Sequence, residues 1–172
     1  MDLLAAIYQP DKLSFYNVVL FLHVTSAIVA FGVTFAYPLF VRVAHQSDPA
    51  NLPYFHRSQA YVGSRLITGG ATLILLTGVI MAATSDAYDF SDPFVSAGLV
   101  IVIVILGMGG AFFSPLERKL GDLSERDVKA AGGGPVVLSR EYHAALHRYN
   151  LGAAVAVTLV LIAVLLMVIK PL

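Results

Sequence analysis

Few side chains in this chain are equipped for chemistry, and the most isolated of them is His23. It lies inside FYNVVLFLHVTSAIVAFGVTFAYPLFVR, Phe15 to Arg42, which has no Asp, Glu, Lys or Arg before Arg42. A neutral imidazole is the usual axial ligand of haem iron. An ionisable group held in an apolar medium also costs free energy that some interaction must offset. On a helix, His23, Ala27, Ala30, Thr34 and Tyr37 share a narrow, partly polar stripe suited to a bundle interior. Two readings follow. His23 is an axial ligand of a haem iron, with Tyr37 and Arg65 completing a cofactor set, or it is a neutral histidine giving one hydrogen bond to a backbone carbonyl or a threonine on a neighbouring helix. No second histidine shares its depth, and Met81 and Met167, near the outer ends of their spans, reach the sixth position only with displacement.

A second constellation is His143 and His147, which at i and i+4 project from one helix face, with Asn150 continuing the stripe. Such a pair shares a metal when a third ligand arrives, here His56 or His45. The competing reading is a set of interfacial residues facing anionic headgroups. Arg65 lies roughly 9 Å into its span at about 1.5 Å per residue. It either snorkels to the boundary or meets an anionic lipid, a haem propionate or a substrate group. No Asp or Glu falls within a span, which argues against a proton- or cation-coupled transporter. Phosphate-binding glycine loops, nucleophile elbows and paired carboxylates are absent, so an enzyme is not the favoured reading. The chain has no cysteine and a net charge of 0, which removes thiolate chemistry and any global basic pull on nucleic acid.

The elements that must position these residues are transmembrane helices. Only 13% of residues are charged, about half the usual share, and they cluster between apolar runs long enough to cross a bilayer, which takes about 20 helical residues. The expected fold is an all-α, polytopic membrane protein: one four-helix bundle with spans at about 15–42, 59–83, 94–114 and 149–169. The apolar start is too long for a cleaved signal and reads as retained, and the LLAAIY leader before Pro10 reads as interfacial. Connections 43–58 and 115–148 read as cytoplasmic. In the first, Pro49 and Pro53 are expected to block helix continuation. In the second, Leu116, Leu120 and Leu123 mark one short amphipathic helix stopped by Gly132–Gly134 and Pro135, and Ser139 caps the next helix. Of the 11 basic residues, all but Lys12 and Lys170 flank these two connections. The bias predicts both termini outside in a bacterial inner (plasma) membrane.

An internal repeat supports two tandem helical hairpins. Gly32, Phe35, Pro38, Leu39 and Arg42 recur, with Lys for Arg, as Gly109, Phe112, Pro115, Leu116 and Lys119, and His56-Arg57 recurs as His147-Arg148. Each proline is expected to end or kink its helix near the boundary. Glycines along the spans suit close helix packing, within the bundle, in a homodimer or against another membrane protein.

The segment around His23, Gly32, Pro38, Phe40 and His45, with Arg65-Leu66-Ile67-Thr68 through Thr77-Gly78, resembles a superfamily that includes the copper-resistance D family and the four-helix membrane protoporphyrinogen oxidase. It resembles the uncharacterised members most. The resemblance implies the four-helix fold and, from the oxidase relatives, haem b on the first-span histidine, His23. The chain lacks tryptophan and has no Lys or His within the third span, so oxidase activity is not implied. The functional expectations are a haem- or metal-binding membrane protein doing redox or haem-handling work, a cofactor-free scaffold or accessory subunit, or, third, a small transporter.

Overall fold

The computed structural model describes residues 14–170, and the leader expected at the interface lies outside them. Among the described residues six α-helices form four long rods: α1 Phe15–Ser47, α2 Leu52–Val62, α3 Thr68–Thr84, α4 Pro93–Met108, α5 Ser114–Ala131 and α6 Arg140–Ile169. A wide π-helical turn, Gly63–Ile67, fuses α2 to α3, and another, Gly109–Phe113, fuses α4 to α5. All four rods are long and apolar enough to cross a membrane. In lipid every backbone polar group must be satisfied within the protein, which selects uninterrupted helices.

The packing order follows the chain. α1 packs along α3 and α4 along α6, giving two hairpins that meet through α3 and α4, while α2 lies on α5 at one end. At the closest approach of α1 to α3, a Cβ on Gly70 would stand 2.7 Å from that of Ala30. Gly152 of α6 similarly admits the Phe112 ring. At the turn end, residues 85–92 are tied by the Tyr16–Tyr88 hydroxyl pair at 2.6 Å and by the Asp89 N–H donating to Asp92 at 2.9 Å. Pro93 then opens α4, in the first turn, where its missing N–H costs nothing.

Two expectations about prolines are corrected. At Pro38, expected to end or kink its helix, the helix does not end, since α1 continues to Ser47. The 43–58 connection is mostly helix: α1 runs into it as far as Ser47, breaks at Asp48 ahead of Pro49, and the chain re-enters helix at Pro49–Asn51 and Leu52. Pro53 falls in the first turn, where proline is tolerated. Nor does the third span stop at Pro115. Proline cannot bond the carbonyl four residues back, and the preceding wide turn, in which the Ser114 N–H reaches five residues back to Gly109, makes room for it. Gly32, the repeat counterpart of Gly109, sits in regular α-helix, so the two halves differ here.

Beyond the charge-free runs the rods continue at one end only, here termed the basic end. There α5 buries Leu116, Leu120 and Leu123 as their spacing predicts, against Leu52, Tyr142, Ala145 and Tyr149. Gly132 ends α5 in the left-handed region at φ 54. Ser139 caps α6 by accepting the Tyr142 N–H at 3.3 Å. The Asp127 carboxylate accepts the Ser139 N–H at 2.7 Å, tying α5 to that cap.

Candidate functional site

His23 is half-buried on the α3 side of α1. Its Nδ1 is 2.9 Å from the Thr77 hydroxyl. That hydroxyl lies 2.6 Å from the Leu73 carbonyl and 3.2 Å from that of Ile74. A hydroxyl has one proton, so with that proton directed to the helix backbone Thr77 accepts, and His23 Nδ1 carries the N–H. Nε2 then holds the lone pair, and among the described residues it has no hydrogen-bond partner. A Cβ on Gly78 would stand 3.3 Å from His23 Cε1, so glycine leaves the ring its place. The threonine partner is what the structural reading of His23 required. It is also the arrangement by which an outer partner fixes a ligating histidine's tautomer and ring orientation.

The other members of the cofactor set are elsewhere. Arg65 is about 18 Å from Thr77 along its rod, at about 1.5 Å per residue, exposed, with its guanidinium 5.9 Å from the Tyr61 ring centre. Tyr37 is about 21 Å along α1 from His23, buried, and donates to the Gln59 carbonyl at 3.2 Å. Both therefore lie several helical turns from His23. Met81 is buried in α3, and Met167 packs its methyl over Gly98.

The basic end holds a buried polar cluster instead. His56, Gln59, Glu117, Tyr142 and Tyr149 are all buried, contributed by α2, α5 and α6. His56 Nε2 shares a 2.9 Å hydrogen bond with the Tyr142 hydroxyl, and Gln59 Nε2 donates to Tyr149. His56 Nδ1 and Gln59 Oε1 are buried without partners. The Glu117 carboxylate lies over Gly63 at the start of the first wide turn, 3.6 Å from where a Cβ would be. Burial pushes the Glu117 carboxyl up to about 7, against the pull of Tyr149, and pushes His56 down to about 4.

Glu117, Gln59, Tyr142 and Tyr149 were not among the sequence candidates. The signal for Glu117 was present: Glu117, Gly121 and Ser124 repeat at i, i+4 and i+7 beside the leucine stripe, and all three are buried. His143 and His147 are exposed, and the His143 ring is 5.9 Å from that of His45. His56 is sealed beneath Tyr142. Among the described residues no three His, Cys, Asp or Glu side chains are placed to hold a metal ion.

Four apolar rods joined as hairpins, with polar groups withdrawn to one half-buried histidine and one terminal cluster, define a four-helix integral membrane protein. The chain belongs to the predicted integral membrane protein family DUF2269, whose profile matches residues 17–171. No curated protein and no solved structure matches it.

Proposed function

We propose that this protein resides in a bacterial inner (plasma) membrane with its basic end in the cytoplasm, and that it holds haem b through His23 Nε2 for redox or haem-handling work. The observation that carries the reading is the Thr77 hydrogen bond: with the hydroxyl proton directed to the α3 backbone, Nδ1 carries the N–H and Nε2 keeps a lone pair for a metal. The resemblance to the oxidase superfamily supports the same ligand. The residues fit one axial position, with Arg65 and Tyr37 several helical turns away along their rods. A bound haem would supply one-electron chemistry, and His23 would set its position and orientation within the bilayer.

The test is an absorption spectrum of the detergent-solubilised protein, before and after haem addition. A Soret band lost in His23→Ala and shifted in Thr77→Val is expected. A protein that stays colourless with added haem overturns the reading.

A second reading, a cofactor-free scaffold or accessory subunit, draws on Gly32, Gly69, Gly107 and Gly110, whose missing side chains face open space. Such positions let another membrane helix approach closely. A colourless protein that co-purifies with a membrane partner and loses it in Gly107→Leu would favour that reading.

A further inference from the structure

Between α1 and the first half of α6 the helices leave an open groove of about 680 Å³. Its floor is apolar, with Phe35 and Pro38 on one side and Ala154 and Val157 on the other. Its polar lining is Arg42, His45, Gln46 and Asn150, all at the basic-end mouth. α1 and α6 run in opposite directions, so residues numbered upward on one and downward on the other converge on the same boundary. The groove is therefore amphiphilic along its length, apolar within the charge-free stretch and cationic where that stretch ends.

The occupant follows from charge and from the lipid that surrounds the groove. No carboxylate lines the groove. Among the described residues Arg42 forms no ion pair, whereas Arg57 and Arg126 are engaged by Glu125, Asp127 and Glu141. An unpaired guanidinium beside two amides presents donors suited to a phosphate. An acyl chain is thin enough to lie on the floor, and in a bilayer it is the apolar material at hand.

We propose that this groove binds one anionic glycerophospholipid, its phosphodiester on Arg42 among His45, Gln46 and Asn150 and one acyl chain along Phe35, Pro38, Ala154 and Val157. The site is separate from His23 and stands whether or not His23 holds haem.

The chain contains no tryptophan, so Phe35→Trp places a single, selectively excitable tryptophan in the groove. The full-length protein is reconstituted in phosphatidylcholine bilayers doped with acyl-brominated phosphatidylglycerol or acyl-brominated phosphatidylcholine. Quenching by the anionic lipid is expected at about fivefold lower mole fraction, the scale set by one basic residue at a membrane surface. Arg42→Gln should bring the two lipids to parity, while Arg148→Gln, another basic residue near the same boundary, should leave the preference standing. A Val104→Trp reporter on the exposed face of α4 should show no preference. Equal quenching of Phe35→Trp by both lipids overturns the proposal. So does an Arg148→Gln effect as large as that of Arg42→Gln, which would reduce the preference to the general surface field.

Discussion

Glu117 and His56 are buried in the same terminal cluster and shifted in opposite senses, which gives a pH signature that neither shows alone. A carboxyl moved from an ordinary 4.5 to about 7 binds its proton more tightly folded than unfolded. Folding stability therefore falls as pH rises through that window. Buried His56, moved from 6.5 to about 4, resists protonation in the folded state, so its contribution is complete at high pH and is lost as pH falls below 6.5. At about 1.4 kcal/mol per pH unit, each group changes stability by about 2 kcal/mol between about pH 5 and pH 8, with opposite signs. The native protein should be nearly flat over that range because the two slopes offset one another.

Glu117→Gln should expose the histidine slope, with the variant gaining about 2 kcal/mol on the native protein from pH 5 to pH 8. His56→Gln should do the reverse, with its relative stability highest at pH 5. The assay is SDS-driven unfolding of detergent-solubilised protein, followed by far-UV circular dichroism and read as the difference between variant and native protein. Titration of other groups, including Asp127, then cancels. The lost Tyr142 hydrogen bond in His56→Gln shifts the level of its curve and leaves the slope. Two flat difference curves, or two of the same sign, would refute the claim that burial sets the state of these groups.

Other expectations are more local. Gly152→Val places side-chain carbon within 2.2–3.1 Å of the Phe112 ring and should destabilise by about 1–3 kcal/mol or more in the same assay. Ser139→Ala removes the side-chain cap of α6 and should cost about 1 kcal/mol; Ser139→Asp, which keeps an acceptor, should recover most of it. The chain has no native cysteine, so single cysteines at Lys129 and Asp86 report topology directly. In intact cells a membrane-impermeant maleimide should label Asp86→Cys and spare Lys129→Cys, and the reverse pattern would invert the orientation.

How much could be read from the residue string differs by element, for physical reasons. The four crossings were legible because lipid tolerates only long charge-free helices, and the runs ending at Arg42, beginning after Arg65 and ending before Lys170 announce themselves. The leucine stripe of α5, its stop at Gly132 and the Ser139 cap were legible because each is a local device. The prolines misled because proline stops a helix only where its missing N–H is needed. Pro53 sits in a first turn and Pro115 follows a wide turn, and neither context can be judged from the proline itself. Glu117 and His56 read as connection residues because each lies just outside a charge-free run. What buries them is the pairing of α2 with α5, residues far apart in the chain.

The wide turns account for that pairing. A turn that takes up one extra residue offsets everything beyond it by about 100° from an uninterrupted α-helix. The rod Pro93–Ala131 packs on α3 and α6 before its wide turn and on α2 as well as α6 after it, so it must present a different face in each half. The rod Pro49–Thr84 makes the complementary change, and the two wide turns touch, with Gly109 facing the Thr68 hydroxyl, which in turn donates to the Gly63 carbonyl at 3.2 Å. Gly63 and Gly109 open these turns, and Glu117 folds back over Gly63 at the junction. The polar cluster thus begins where the two central rods change partners, as they leave the charge-free stretch and polar side chains can again be accommodated. A single helical register drawn through either rod would miss the change, because the offset comes from the backbone and leaves the hydrophobic spacing of each half intact.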